Sequence, residues 1–213
     1  MPYTAPDRSN IRGSLARDLR DPDANTFTDA ELNDLLNYAV VEVGRVYPKE
    51  QVVELAAEQD AQNQWAIEAF TIFRVEVIQD SEVIFGIPQN TLVDAVEGGF
   101  DLHGGTLFIP KYIADQIEYE GTKTLRAWGY WPRETFAEDT DVLDGNAEFE
   151  YGVRTVGALL GYQRLQNDRM LFQQWMTNTG NTDISPNQLA QTADMYQSQW
   201  REMRNRLRTL QRT

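Results

Sequence analysis

Apolar positions in this chain follow two different periods. Toward the C-terminus, Leu189, Ala193, Tyr196, Trp200, Met203, Leu207 and Leu210 alternate four- and three-residue steps without a break. That spacing lays all seven side chains along one seam of an α-helix. Ser185 is a good N-cap, and Pro186 takes the first helical position, where a missing N–H is no loss. The pattern predicts a helix from Ser185 to Arg212, about 39 Å long. Such a helix is stable only when its apolar face has something to pack on.

The N-terminal part supplies candidates for that partner. Residues 1–9 are polar and proline-marked and read as an extended arm. Ile11, Leu15 and Leu19, four apart, predict a short helix ending before Asp21-Pro22. Thr28-Asp29-Ala30-Glu31 is a capping box, and Phe27 is placed to staple onto Leu32. Leu32, Leu35, Leu36, Ala39, Val40 and Val43 then form one apolar face, and Tyr47-Pro48 stops it, which predicts a helix over 28–47.

From about Gln51 to Trp131 the period changes. Phe70–Ile78 is rich in β-branched and aromatic residues, and Ser81–Ile87 follows a Gln-Asp-Ser turn. Leu92–Val96, Phe100–Leu102, Thr106–Ile109 and Thr124–Trp131 read as further short strands. Gly104-Gly105 fits a two-residue hairpin, and residues 111–118 read as a short helical or irregular crossing. Pro132–Asp144 is an acidic loop. Phe149, Val153, Val156 and Leu160 then resume the helical step, with Glu148 and Glu150 in the first turn, where the helix dipole favours them.

Gly152, Gly157 and Gly161 lie in that same helix, each costing roughly 1 kcal/mol against Ala. Either the backbone there approaches a neighbour closely, with Tyr196 or Trp200 as the neighbour, or the helix is slightly kinked. Met170–Met176 either continue the helix or form a second short one, and Thr177–Ser185 reads as a loop. The fold class expected is α+β. A helical bundle built from residues 11–47 and 145–211 carries an inserted β-rich lobe, so the chain divides into 1–50, 51–132 and 133–213.

Composition narrows the function classes. The 213 residues, 41% of them hydrophobic, describe an ordinary globular protein. No apolar run reaches the length of a membrane span, and Met1–Asn10 lacks the pattern of a signal peptide. A net charge of −14 argues against a primary role in gripping nucleic-acid phosphates. With no cysteine and one histidine, His103, the usual zinc sets cannot be assembled. His103 reads as a surface residue beside a turn, and no Gly-x-Ser-x-Gly accompanies it. Glu138–Gly145 superficially suggests a calcium loop. Counting from Asp139, however, puts Leu143 at position 5 and Asp144 at the glycine position, so the register fails. No catalytic residue, metal ligand or cofactor is expected.

Two features invite a binding role. Tyr119, Trp128, Tyr130 and Trp131 are clustered aromatics. Trp128 and Tyr130 share one strand face and Trp131 lies on the other, so Trp128, Tyr130 and Trp131 are a candidate aromatic surface, for core, subunit contact or sugar rings. The second feature is a basic cluster at the end of the last helix, Arg201, Arg204, Arg206, Arg208 and Arg212, opposed nearby only by Glu202. Arginines there complement the helix dipole. Five Arg without Lys also suit bidentate pairing with carboxylates across a protein interface.

The run Thr26-Phe27-Thr28-Asp29-Ala30-Glu31-Leu32 leading to Tyr47-Pro48 resembles the opening helix of tailed-bacteriophage head–tail connector (adaptor) proteins. The aromatic strand Leu125–Pro132 is similar too. So are the return through an Asp-rich loop into Glu148-Phe149-Glu150-Tyr151-Gly152 and Ala158-Leu159-Leu160-Gly161, and the final helix Tyr196–Leu210 with its basic end. The β-lobe is longer than in small adaptors, and Asn167–Ser185 stands as an insertion. The resemblance implies a structural virion protein, assembled in the host cytoplasm. Its subunits form a homo-oligomeric ring, dodecameric by that likeness, docked beneath the portal protein at the head–tail interface. The ring extends the DNA channel, lets DNA pass without specific binding, and presents a surface to the tail or next connector ring. Carried onto this chain, Arg201, Arg204, Arg206 and Arg208 pair with portal carboxylates. Two other classes stand beside it: a non-catalytic carbohydrate- or ligand-binding module using Trp128 and Tyr130, and an acid/base hydrolase.

Overall fold

The computed structural model describes residues 3–55, 64–89, 99–120, 123–180 and 184–210, without the side chains of 116–120 and 207–210. The chain is α+β and divides into two units, Met1–Tyr47 with Arg133–Thr213, and Pro48–Pro132. The first boundary falls at Pro48, not at residue 50, because a strand already begins at Lys49.

The helical unit holds α1 (Arg8–Asp18), α2 (Asp29–Val46), α4 (Ala147–Asn167), α5 (Arg169–Thr179) and α6 (Pro186–Leu210). Asp7 caps α1 by accepting the Asn10 N–H at 2.8 Å. The N-terminal arm is shorter than expected and not free. Arg8 N–H donates to Asp141 O and Leu143 N–H to Pro6 O, both at 2.9 Å, tying it to the acidic loop. The turn after α1 is organised by the buried Asp21 carboxylate, which accepts the N–H groups of Asn25, Thr26 and Phe27 at 2.9–3.1 Å. The capping box of α2 is complete. Thr28 Oγ1 accepts the Glu31 N–H, and Glu31 Oε2 accepts the Thr28 N–H. Asn146 caps α4, and Asp168 both ends α4 and caps α5, so the segment after Asn167 is a second helix and not a continuation. Gly180, in the left-handed region at φ 66°, terminates α5.

α4 is the buried axis of this unit, and its glycines mark close approaches. A Cβ on Gly157 would stand 3.2 Å from the Leu15 methyls, and one on Gly161 2.5 Å from Leu19 Cδ2. At Gly152 the neighbours are Met203 Cε and Val43 Cγ1, at 2.8 and 3.0 Å. Close approach is thus the reason for the glycines. The expected neighbours Tyr196 and Trp200 are replaced by α1, α2 and Met203.

The β unit holds β1 (Lys49–Leu55), β2 (Gln64–Ala66), β3 (Thr71–Gln79), β4 (Glu82–Ile87), β5 (Asp101–His103), β6 (Thr106–Phe108), α3 (Lys111–Glu120) and β7 (Lys123–Trp131). One antiparallel sheet runs β1-β7-β3-β4 and a smaller one β2-β6-β5. Asp80 and Ser81, at φ 50° and 69°, make the β3–β4 turn, and Gly104 and Gly105, at φ 59° and 77°, make the β5–β6 turn. Both are two-residue turns with positive φ at each central residue, which suits the twist of hairpin strands. Val75, Val77, Leu125 and Ala127 of the large sheet share one core with Trp65 and Leu107 of the small sheet and with Ile113 of α3. β1 and β2 carry no clear signal in the sequence. The strand expected at Leu92–Val96 lies outside the described residues.

Two glycine substitutions separate propensity from packing. Gly13→Ala in α1 meets only Arg17 Nη1 at 3.8 Å, so thermal unfolding should show a gain of about 0.5–1 kcal/mol. Gly161→Ala should lose stability, because overpacking against the fully buried Leu19 costs about 1–3 kcal/mol and outweighs the helical gain. A stabilised Gly161→Ala contradicts the close approach.

Candidate partner interface

The last helix is fixed at its start by Ser185 and Gln188, which cap one another. Ser185 N–H donates to Gln188 Oε1 at 2.8 Å, and Gln188 N–H donates to Ser185 Oγ at 3.3 Å. Along the seam, Leu189, Ala193 and Met203 are buried. Tyr196 stacks on Tyr162 of α4 at 5.6 Å, and Trp200 is half-buried against the same core. The side chains of Leu207 and Leu210 lie outside the described residues. The tryptophan that anchors this unit is Trp175 of α5, 1% exposed, its Nε1–H donating to Leu19 O at 2.9 Å.

The seam packs on α4, so the arginines are sorted by helical register. Arg201 lies on the side away from Met203 and is exposed. Arg204 and Arg206 flank the seam. Arg204 is partly buried, and its Nε is enclosed without a hydrogen-bond acceptor. Arg206 donates to Glu148 Oε1 at 2.7 Å, with both side chains substantially exposed. Glu202 is therefore not the sole acid near the cluster, since the first turn of α4 supplies another. Arg208 is seven residues past Arg201, two turns along the same face, but its side chain is not described, and Arg212 lies outside the described residues.

The aromatic candidates divide by face. Trp131 is buried in the core of the β unit and belongs to no surface. Trp128 and Tyr130 are partly buried on the opposite face, and both are engaged. The Arg74 guanidinium lies over the Trp128 ring at 5.8 Å, and Trp128 Nε1–H donates to Glu76 Oε2 at 3.3 Å. Glu76, only 2% exposed, is also ion-paired with Arg74, and Phe73 sits 5.4 Å from the Tyr130 ring. A sugar ring stacking on Trp128 would have to displace Arg74. The side chain of Tyr119 is not described, and His103 is exposed at its hairpin.

The acidic loop turns its carboxylates toward the helical unit. Asp139 pairs with Arg8 and Arg12 of α1 at 2.9 and 2.8 Å. Asp141 Oδ2 accepts the Ala137 and Glu138 N–H groups at 2.6 and 2.7 Å. Arg133, where the chain re-enters this unit, stacks over Phe149 at 4.6 Å and Tyr47 at 5.4 Å, and donates to Tyr47 O and Asp144 O. Among the described residues, no three His, Cys, Asp or Glu side chains gather as a metal set, and no helix is long and apolar enough to cross a membrane. Sequence reasoning missed Arg8, Arg12 and Arg133. Their only signal was the excess of acid in the loop they serve.

These contacts set a pH dependence. The Arg12 hydrogen bond, helped by Arg8, holds Asp139 below the usual carboxylate range, and the Glu138 and Ala137 N–H groups do the same for Asp141. Burial works to raise Glu31, but its Thr28 hydrogen bonds and Arg164 bring it below the ordinary value. A depressed folded-state pKa contributes stability above the ordinary carboxylate range, about 4, and loses it as pH falls through the lowered value. Asp139→Asn should be less stable than the parent at neutral pH, with a shallower loss in acid titrations followed by circular dichroism. Superimposable pH profiles would remove Asp139 from the account.

No protein-family model matches this sequence, and no curated protein matches it significantly.

Proposed function

We propose that the chain is a structural virion protein: a head-to-tail connector subunit that forms a ring beneath the portal, extends the DNA channel and presents a docking surface to the tail or next ring. The observation that carries the reading is the last helix. Its buried seam fixes it to α4, while Arg201 stays exposed on the opposite side of its basic end. That gives a rigid element with a cationic face and an otherwise acidic body, suited to meeting carboxylates on a protein partner. The acidic balance also suits a passage for DNA, because a cationic lining would hold phosphates. Hydrogen-bonded side chains in the loop and capping residues at helix starts account for most polar clusters without invoking turnover. The portal and the tail or next connector are the proposed partners, and the head–tail interface of the virion is the proposed location.

The test is co-sedimentation of the purified protein with portal rings. Arg201→Glu with Arg208→Glu should leave the circular dichroism and melting of the subunit unchanged and reduce capture on the portal at least tenfold, the loss of about 1.4 kcal/mol of binding. Capture equal to the parent would contradict the role of the basic face. Absence of any capture by the parent would contradict the connector reading itself.

A further inference from the structure

The later part of the helical unit carries a groove with a cation at its edge. α5 and the first turns of α6 leave a cleft of about 690 Å³ over the end of α4. Its floor is apolar, built from Leu165 of α4, Phe172 and Met176 of α5, and Leu189 and Ala190 of α6. Gln166, Arg169, Gln173 and Pro186 complete the lining, and all four are exposed. The volume is that of a ligand site, about 300–1,000 Å³, but the exposed walls make it a groove and not an enclosed cavity. Met176 gives the floor an unbranched side chain that adapts to what lies on it.

Spacing gives the groove its shape. Arg169, Phe172, Gln173 and Met176 stand at i, i+3, i+4 and i+7 of α5, so one face of that helix forms a wall about 10 Å long. Pro186, Leu189 and Ala190 form the other wall from α6 by the same step. Helical walls satisfy their own backbone and offer an extended strand no row of N–H and C=O groups. An occupant has to satisfy its own backbone too, which a helix does. Arg169 is the only charged residue in the lining, and among the described residues no carboxylate pairs with it. The carboxylate of the adjacent Asp168 caps α5 instead, accepting the Met170 and Leu171 N–H groups at 2.9 and 3.0 Å. Arg169 also holds the first position of α5, where a cation opposes the helix dipole. Neither an ion pair nor the dipole accounts for it.

We infer that this groove receives a short amphipathic helix of a partner protein, its apolar side chains on Phe172, Met176 and Leu189 and a carboxylate against Arg169. Charge selects the occupant. The lining has no acid to repel that carboxylate, and Gln166 and Gln173 offer it amide donors beside the guanidinium. The inference goes beyond the connector reading, which concerns the other end of α6, and does not depend on it.

The probe is a labelled peptide of about four turns, stapled as a helix, with leucines at i, i+3 and i+7 and a glutamate at each end of that stripe. Its counterpart carries lysines in place of the glutamates. Both are titrated into the full-length protein and followed by fluorescence anisotropy. The glutamate peptide should bind, and the lysine peptide should bind about tenfold more weakly, the scale of one lost charge-assisted hydrogen bond. Arg169→Glu should reverse that order while melting as the parent does. Ala190→Trp, which fills the groove, should abolish binding of both peptides with the fold retained. Arg20 edges a second cleft on the other flank of α6, so Arg20→Glu should leave the preference unchanged. No binding of either peptide at about 1 mM, equal binding of the two, or an unaltered preference in Arg169→Glu would each overturn the inference. So would a preference lost in Arg20→Glu, or parental binding to Ala190→Trp.

Discussion

The close approach of α1, α2 and α6 to α4 is the constraint on which the helical unit depends. A helix buried on most of its circumference normally keeps neighbours 8–10 Å away. Here Gly152, Gly157 and Gly161 remove side chains where Val43 and Met203, Leu15, and Leu19 come in. The glycines lower helix propensity, so the arrangement is stable only because both ends of the chain close onto α4. That closure joins residues before the β unit to residues after it, and it fixes the direction in which the basic end of α6 points relative to α4.

The second organising feature is how this unit handles its own charge. The acidic loop between β7 and α4 does not stand free. Arg8 and Arg12 take Asp139, Asp141 satisfies two N–H groups, and Arg133 fills the space over Tyr47 and Phe149. Arg154 makes a bidentate pair with Asp18 across α4 and α1, both bonds at 2.9 Å. Most described arginines of this unit are thus spent on internal contacts, while Arg20, Arg169 and Arg201 are exposed. In the β unit Arg74 pairs with Glu76 and lies over the Trp128 ring, and Trp128 Nε1–H donates to Glu76 Oε2.

Much of this was legible from sequence, for identifiable reasons. The capping box at Thr28, the N-cap at Ser185, the apolar step of α2 and the Gly104-Gly105 turn are local signals, and local signals survive folding. The seam of α6 was readable as far as Met203 because its spacing is regular. β1 was hidden because Val52-Val53 breaks the alternation a half-buried strand should show, and β2 is only three residues long. The glycine neighbours were misassigned because spacing along one helix does not say which element approaches it. Trp131 was placed on a surface from its position beside Trp128, whereas strand alternation sends it into the core. The arginine latches were invisible because each spans more than a hundred residues or pairs with a loop of no regular period.

The helical unit thus pairs most of its charges internally while Arg201, at the basic end of α6, stays exposed. On the connector reading proposed above, a protein partner supplies carboxylates for the end of α6. The most direct measurement is a cryo-electron microscopy reconstruction of the neck of the assembled particle. The account predicts a closed ring of this chain directly beneath the portal, with the basic end of α6 against portal carboxylates. A neck without this chain, or one in which that end faces solvent, would contradict it.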